Sequence, residues 1–253
     1  MTRIVPHQQI FSRAKLFDKW ANIFILLSSA ISLTLIFLHP PYEKLIASLN
    51  AVNCVFITII VVFDTLFNYI FFEAGKVKRL DFIDNSMGTD FSGTRSQGYF
   101  TNENLAIGLY KMAVNSFENS FFSTQISSRM ITGAWVRFVV IMVIFVFSAA
   151  MGDQKIVNLL FQLSLPILLF QQAFKITLFY TRMNNIFQNF LSLFNDIKQH
   201  DNKDQKESEI LKIVLDYQTT LSWGAVALSD KIFKKYNPML STKWDDLKNN
   251  YRI

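Results

Sequence analysis

The chain has 253 residues, a net charge of +6, a single cysteine and three histidines scattered along it. One cysteine excludes an internal disulfide, and no Cys pair or HExxH motif is present to bind zinc. Residues of the AVILMFWYC set make up 51%, ordinary for a soluble domain, so their distribution decides the class.

They are blocked into long runs separated by charged segments. Phe is common (26), while Gly (8) and Pro (5) are few, which favours continuous helices. Residues 1–19 read as a juxtamembrane amphipathic helix after Pro6. Ile10, Phe11, Ala14, Leu16 and Phe17 fall on one side, and Arg13, Lys15 and Lys19 on the other. Residues 20–72 read as a first transmembrane hairpin. Its first span is Trp20–Leu38, stopped by His39-Pro40-Pro41, and its second is about Ala51–Phe72. The first run is too long for a signal-peptide core and ends without a small-residue cleavage site. Cys54, inside the second run, reads as a small buried hydrophobe.

Residues 73–132 read as a cytoplasmic helix-loop-helix. Leu80–Met87 continues the preceding helix, and Gly88–Thr101, with three glycines, is a loop. Thr101 or Asn102 caps a helix of about Glu103–Phe122 whose apolar face is Leu105, Leu109, Met112, Ala113, Ser116 and Phe117. Residues 133–180 form a second transmembrane hairpin, Gly133–Met151 and Ile156–Tyr180, joined by Gly152-Asp153-Gln154-Lys155. Each span is long enough for a ~30 Å hydrocarbon core. Pro166 is expected to kink the fourth span.

Residues 181–253 form a cytoplasmic helical tail. The fourth helix is expected to run on to His200, with Asp201–Ser208 as a polar linker. A long helix, Glu209–Tyr236, follows, with Ile210, Leu211, Val214, Tyr217, Leu221, Ala225, Leu228, Ile232 and Phe233 in one stripe. Asn237-Pro238 ends it, and Ser241 caps a last helix, Thr242–Tyr251. The fold class is therefore an all-α integral membrane protein, with four transmembrane helices in two hairpins plus cytoplasmic helical segments. With the N-terminus inside, the two outside loops hold only Lys44 and Lys155. The excess of Lys and Arg elsewhere places both ends and the central loop in the cytoplasm.

No nucleophile-plus-base set can be assembled, so the chain reads as a non-enzyme with no cofactor and no metal. The basic charge flanks membrane spans, so the lipid bilayer explains it without nucleic acid. Three charges fall in the inner-leaflet half of spans: Asp64, about 12 Å up from Phe72, with Arg137 and Lys175. A lone charge there costs ~2.5–3.5 kcal/mol, so Asp64 is expected to pair with Arg137, Lys175 or both. The pair either staples the bundle or, with Gln171, Gln172, Asn68 and Gln162, lines a gate in a homo-oligomer. In the central loop, Ser92, Arg95 and Tyr99 mark a possible trigger segment, where glycines, Ser and Arg could contact phosphate. A plain connecting loop is the simpler reading of the same residues.

The layout resembles a bacterial family of four-transmembrane pore-forming effectors associated with nucleotide second-messenger synthases in anti-phage defence. The resemblance rests on Gln9-Ile10-Phe11-Ser12-Arg13-Ala14-Lys15 before the first span, the two hairpins, Asp81-Phe82, and Leu228-Ser229-Asp230-Lys231-Ile232-Phe233 before the last helix. It implies an effector that permeabilises the bacterial inner membrane on a cytoplasmic signal, with a nucleotide signal or a soluble defence protein as partner. The alternative is a membrane anchor that recruits a soluble partner through its cytoplasmic helices.

Overall fold

The computed structural model describes residues 5–38, 41–93, 96, 101–151 and 156–253, of which 6, 33, 36, 37, 148, 149, 151 and 156–165 are described by backbone alone. All regular structure among them is helical. The described residues form six α-helices: α1 (Pro6–Phe37), α2 (Glu43–Met87), α3 (Leu109–Met151), α4 (Ile156–His200), α5 (Glu207–Gly224) and α6 (Asp230–Tyr251). A single 3-10 turn, Lys203–Lys206, precedes α5.

Several expected boundaries move. The amphipathic segment and the first span are one helix, because no Gly or Pro falls between His7 and Phe37 to break it. The helix expected from Glu103 begins instead at Leu109 and runs unbroken into the third apolar run. Gly108, at φ 144°, keeps the preceding residues out of helix, and its N–H donates to the Ser86 carbonyl at 2.8 Å. Helix α4 continues through Pro166 to His200. The link 152–155 lies outside the described residues.

The tail is also cut differently. Helix α5 stops at Gly224, where Ala225 turns left-handed (φ 39°) and its N–H reaches back to the Leu221 carbonyl. Ser229 then caps α6 by accepting the Ile232 N–H, and α6 runs through Pro238 to Tyr251. Asn237-Pro238 is thus not a stop. Pro238 is exposed, so the Lys234 carbonyl it leaves without a helix donor can turn to water. The last residue of α5 is glycine because a Cβ there would lie 2.6 Å from Cδ2 of buried Phe179. Only glycine lets α5 come this close. The α5 stripe is rotated from the expected one as well: Ile210, Ile213, Val214 and Tyr217 are buried, whereas Leu211 is exposed.

The chain divides into two compact units. One comprises Met1–Phe11, Phe72–Met130 and Lys175–Ile253; the other comprises Ser12–Phe71 and Ile131–Phe174. All four boundaries fall inside helices α1 to α4.

The first unit has a large aromatic core. Phe117 of α3 stacks on Phe194 (centroids 5.0 Å) and Phe187 (5.6 Å) of α4, and meets the edge of Trp244 of α6 at 5.2 Å. Met112, Ala113, Ser116 and Phe117 are buried as their helical spacing predicts, while Leu105 and Leu109 pack on the core half-buried. Each fully buried aromatic or aliphatic side chain contributes roughly 1.5–3 kcal/mol.

The second unit is different in kind. Among the described residues its buried cluster is Ile25, Ile60 and Leu169, backed by Phe24, Phe138, Ile141 and Leu168. Helices α1 and α2 are joined there by Ser28 Oγ donating to Asn53 Oδ1. Most of its aliphatic surface is outward: Leu26, Val55, Val61, Val136, Val143 and Val146 are all more than half exposed. Two helices, α2 and α3, are long and apolar enough to cross a membrane, and only 11% and 6% of the residues in those windows are buried. A core helix of a soluble domain would be mostly buried.

Candidate functional site

The best-defined polar site lies in the first unit, where the central loop is fastened to α2. Gly88 (φ 74°) ends α2 and turns the chain back along it. Asp84 then receives three donors: Thr89 Oγ1 and the Phe91 N–H on Oδ1, and the Ser92 N–H on Oδ2, each at 2.7 Å. One helical turn earlier, Asp81 accepts the Ser96 N–H at 2.7 Å on Oδ1 and the Ser96 hydroxyl on Oδ2. His7 of α1 brings its Nδ1 to 3.5 Å from the same oxygen. Both carboxylates are 1% exposed and His7 is 3% exposed.

A second polar chain ties the far end of the loop. Asn102 donates through Nδ2 to Asn115 Oδ1 (3.1 Å) and Glu118 Oε2 (2.8 Å) of α3. Thr101 Oγ1 donates to the same Glu118 oxygen at 2.6 Å. Asn115 in turn donates to Asn85 Oδ1 of α2 at 3.0 Å. Asn102 is therefore a buried tether between loop and helix, not the helix cap its position suggested.

The electrostatics follow from these contacts. Burial pushes the Asp84 carboxyl up, but the donors from Ser92, Phe91 and Thr89 outweigh it and hold it down at about 2. For Asp81, burial is likewise outweighed, by His7 and Ser96, and its carboxyl stays below the ordinary range. Glu118 goes the other way: burial raises it more than Thr101 and Asn102 lower it. Asp81 and Asp84 are anionic hubs already filled by protein donors, so they hold a loop in place. Among the described residues no group of three or more His, Cys, Asp or Glu is placed to hold a metal ion.

Of the expected loop residues, Ser92 is brought into this site, but its N–H donates to Asp84, so in this conformation it does not face outward to a phosphate. Arg95 and Tyr99 lie outside the described residues. The sequence reading missed His7 and Asp84. The signal for Asp84 was the i, i+3 pair Asp81 and Asp84 just before a Gly-, Ser- and Thr-rich loop, a pattern of buried acceptors followed by short donors. For His7 no local signal exists, since its partner lies 74 positions away.

Asp64 and Arg137 each bond to a group on their own helix. Asp64 is exposed, and its Oδ2 accepts from Asn68 Nδ2 at 3.0 Å, one turn on. Arg137, also exposed, donates through Nε to the Gly133 carbonyl of its own helix at 3.2 Å. Among the described residues no ion pair joins Asp64 to Arg137. Gln171 is exposed and Gln172 half-buried in the second unit, and Lys175 is half-buried in the first. The Gln162 side chain lies outside those described. Cys54 is half-buried and not enclosed as expected.

Compared with protein-family models, with characterised proteins and with solved structures, the chain matches none.

Proposed function

We propose that the chain is a non-enzymatic effector of the bacterial inner membrane. It crosses the bilayer four times, keeps both termini in the cytoplasm, and opens a leak when a cytoplasmic signal acts on its helical part. The apolar, outward-facing windows of α2 and α3 support two of the spans. The runs Trp20–Leu38 and Ile156–Tyr180, each long enough to cross a bilayer, supply the other two. The density of Lys and Arg outside the two short loops supports the orientation.

The observation that carries the leak is the exposure of Asp64 amid exposed Val61, Val62 and Leu66. A carboxylate facing hydrocarbon costs ~2.5–3.5 kcal/mol, and Asn68 alone offsets little of it. A second copy of the chain, or water held between copies, removes that cost. Exposed Arg137 and Gln171 in the same unit would be satisfied in the same way. The assembled form is then a homo-oligomer with a polar lumen lined by Asp64, Asn68, Arg137, Gln171 and Gln172. The fastened central loop is the natural place for the signal to act, because displacing Ser92 and Ser96 frees two backbone donors at once. The resemblance to four-span defence effectors favours anti-phage defence as the setting and a nucleotide or soluble defence protein as the signal.

Cross-linking between copies tests the assembly. Val61→Cys, one turn from Asp64 and likewise exposed, in a Cys54→Ser background is expected to form covalent dimers in native membranes on addition of a short bifunctional thiol reagent. A strictly monomeric product would remove the lumen.

A further inference from the structure

We infer that the turn joining α5 to α6, with the arginines around it, docks on the headgroups of an anionic phospholipid surface. The turn brings together arginines from three long helices within the first unit. Arg79 of α2 donates through Nη1 to Ser222 Oγ at 2.6 Å. Arg182 of α4 lies over the Trp223 ring at 4.7 Å. Arg129 of α3 lies over the Tyr236 ring at 4.6 Å. Among the described residues no carboxylate pairs with any of these three guanidinium groups. Just past the turn, α6 presents Lys231, Lys234 and Lys235, all exposed, against a single acid in the stretch 222–239, Asp230.

The apolar side chains here are exposed too. Trp223 is 49% and Phe233 39% exposed, and each sits beside basic groups. Exposed aromatic side chains interleaved with Lys and with Arg groups that no carboxylate neutralises match the two layers of a bilayer interface, with rings at the acyl boundary and cations at the phosphates. The position in the chain agrees. Arg79 follows the start of the first unit at Phe72 by two turns, Arg182 follows Lys175 by two turns, and Arg129 is next to its end at Met130. The surface is thus a basic, aromatic patch of the first unit, specific for anionic over zwitterionic lipid.

The inference rests on the membrane reading above, and one experiment separates the two. Hydrogen exchange is followed on the full chain in nanodiscs of phosphatidylcholine, with or without phosphatidylglycerol. Exchange over Trp223–Tyr236 is expected to slow by roughly tenfold when phosphatidylglycerol is present, and to recover at high salt. The Lys231→Gln/Lys234→Gln variant is expected to match the parent in phosphatidylcholine and to lose the response to phosphatidylglycerol. Equal exchange of the parent in both discs, with the apolar runs protected in both, would overturn the inference while leaving the membrane reading in place. A variant that keeps the full response would also overturn it. Apolar runs unprotected in both discs would overturn the membrane reading and the inference together.

Discussion

The Ser92 N–H donates to Asp84 Oδ2 at 2.7 Å, and that carboxylate is 1% exposed. One buried anion thus holds the start of the loop by three bonds. Removing it in Asp84→Ala leaves the Phe91 and Ser92 N–H groups and the Thr89 hydroxyl without their acceptor. Orphaned donors of this kind cost about 1–3 kcal/mol. The expected outcome is a stability loss of that size in thermal unfolding and faster proteolytic cleavage within 88–101. An unchanged cleavage rate would show that the carboxylate does not fasten the loop.

Acid should release the same loop. Asp81 and Asp84 are held below the ordinary carboxylate value, so the stability they add is complete above that value and is lost as pH falls through their folded values, about 2 for Asp84. Glu118 has the opposite sign: its carboxyl is raised, so the fold favours its protonated form, and its contribution declines as pH rises through the folded value. Loop proteolysis by an acid-active protease, followed from near-neutral pH down to about pH 2, is expected to accelerate at the acid end. In Asp84→Asn the loop should already be loose near neutrality and the acid response reduced.

The C-terminal elements give two tests of opposite sign. Gly224→Ala adds a Cβ 2.6 Å from the Phe179 ring, and that ring is 1% exposed and cannot swing away. Overpacking of about 1–3 kcal/mol should outweigh the gain of roughly 1 kcal/mol in helix propensity. Pro238→Ala restores an N–H donor in the exposed middle of α6 and should stabilise by up to about 3 kcal/mol. A neutral Pro238→Ala would mean that α6 breaks where the sequence suggested. Thermal unfolding of the two variants beside the parent decides both.

Much of the architecture was legible in the sequence because apolar runs and helical spacing are local signals. The continuation of α2 to Met87 and of α4 to His200, and the buried face of Met112, Ala113 and Phe117, follow from periodicity alone. The need for glycine at the end of α5 was not legible, since it is set by a ring 45 positions away and not by its neighbours. Proline was over-read at Asn237-Pro238, because an exposed helix tolerates a missing donor more easily than a buried one. The loop site was half legible. Gly88 and the Ser- and Thr-rich stretch announced a loop, but nothing local marked the carboxylates on the preceding helical turn as its buried acceptors. Asp64 and Arg137 were found by their place in apolar runs, yet attraction between opposite charges did not predict their partners, Asn68 and the Gly133 carbonyl, each one turn away.

The most direct measurement is inner-membrane potential in cells induced to make the chain, read with a potential-sensitive dye beside a growth curve and a membrane-fraction blot. The account predicts depolarisation and growth arrest with the parent chain. It predicts a retained potential with Asp64→Asn at the same membrane level. Parent chain abundant in the membrane with the potential intact, both alone and during phage challenge with its neighbouring genes, would contradict the account and leave the chain as an anchor for a soluble partner.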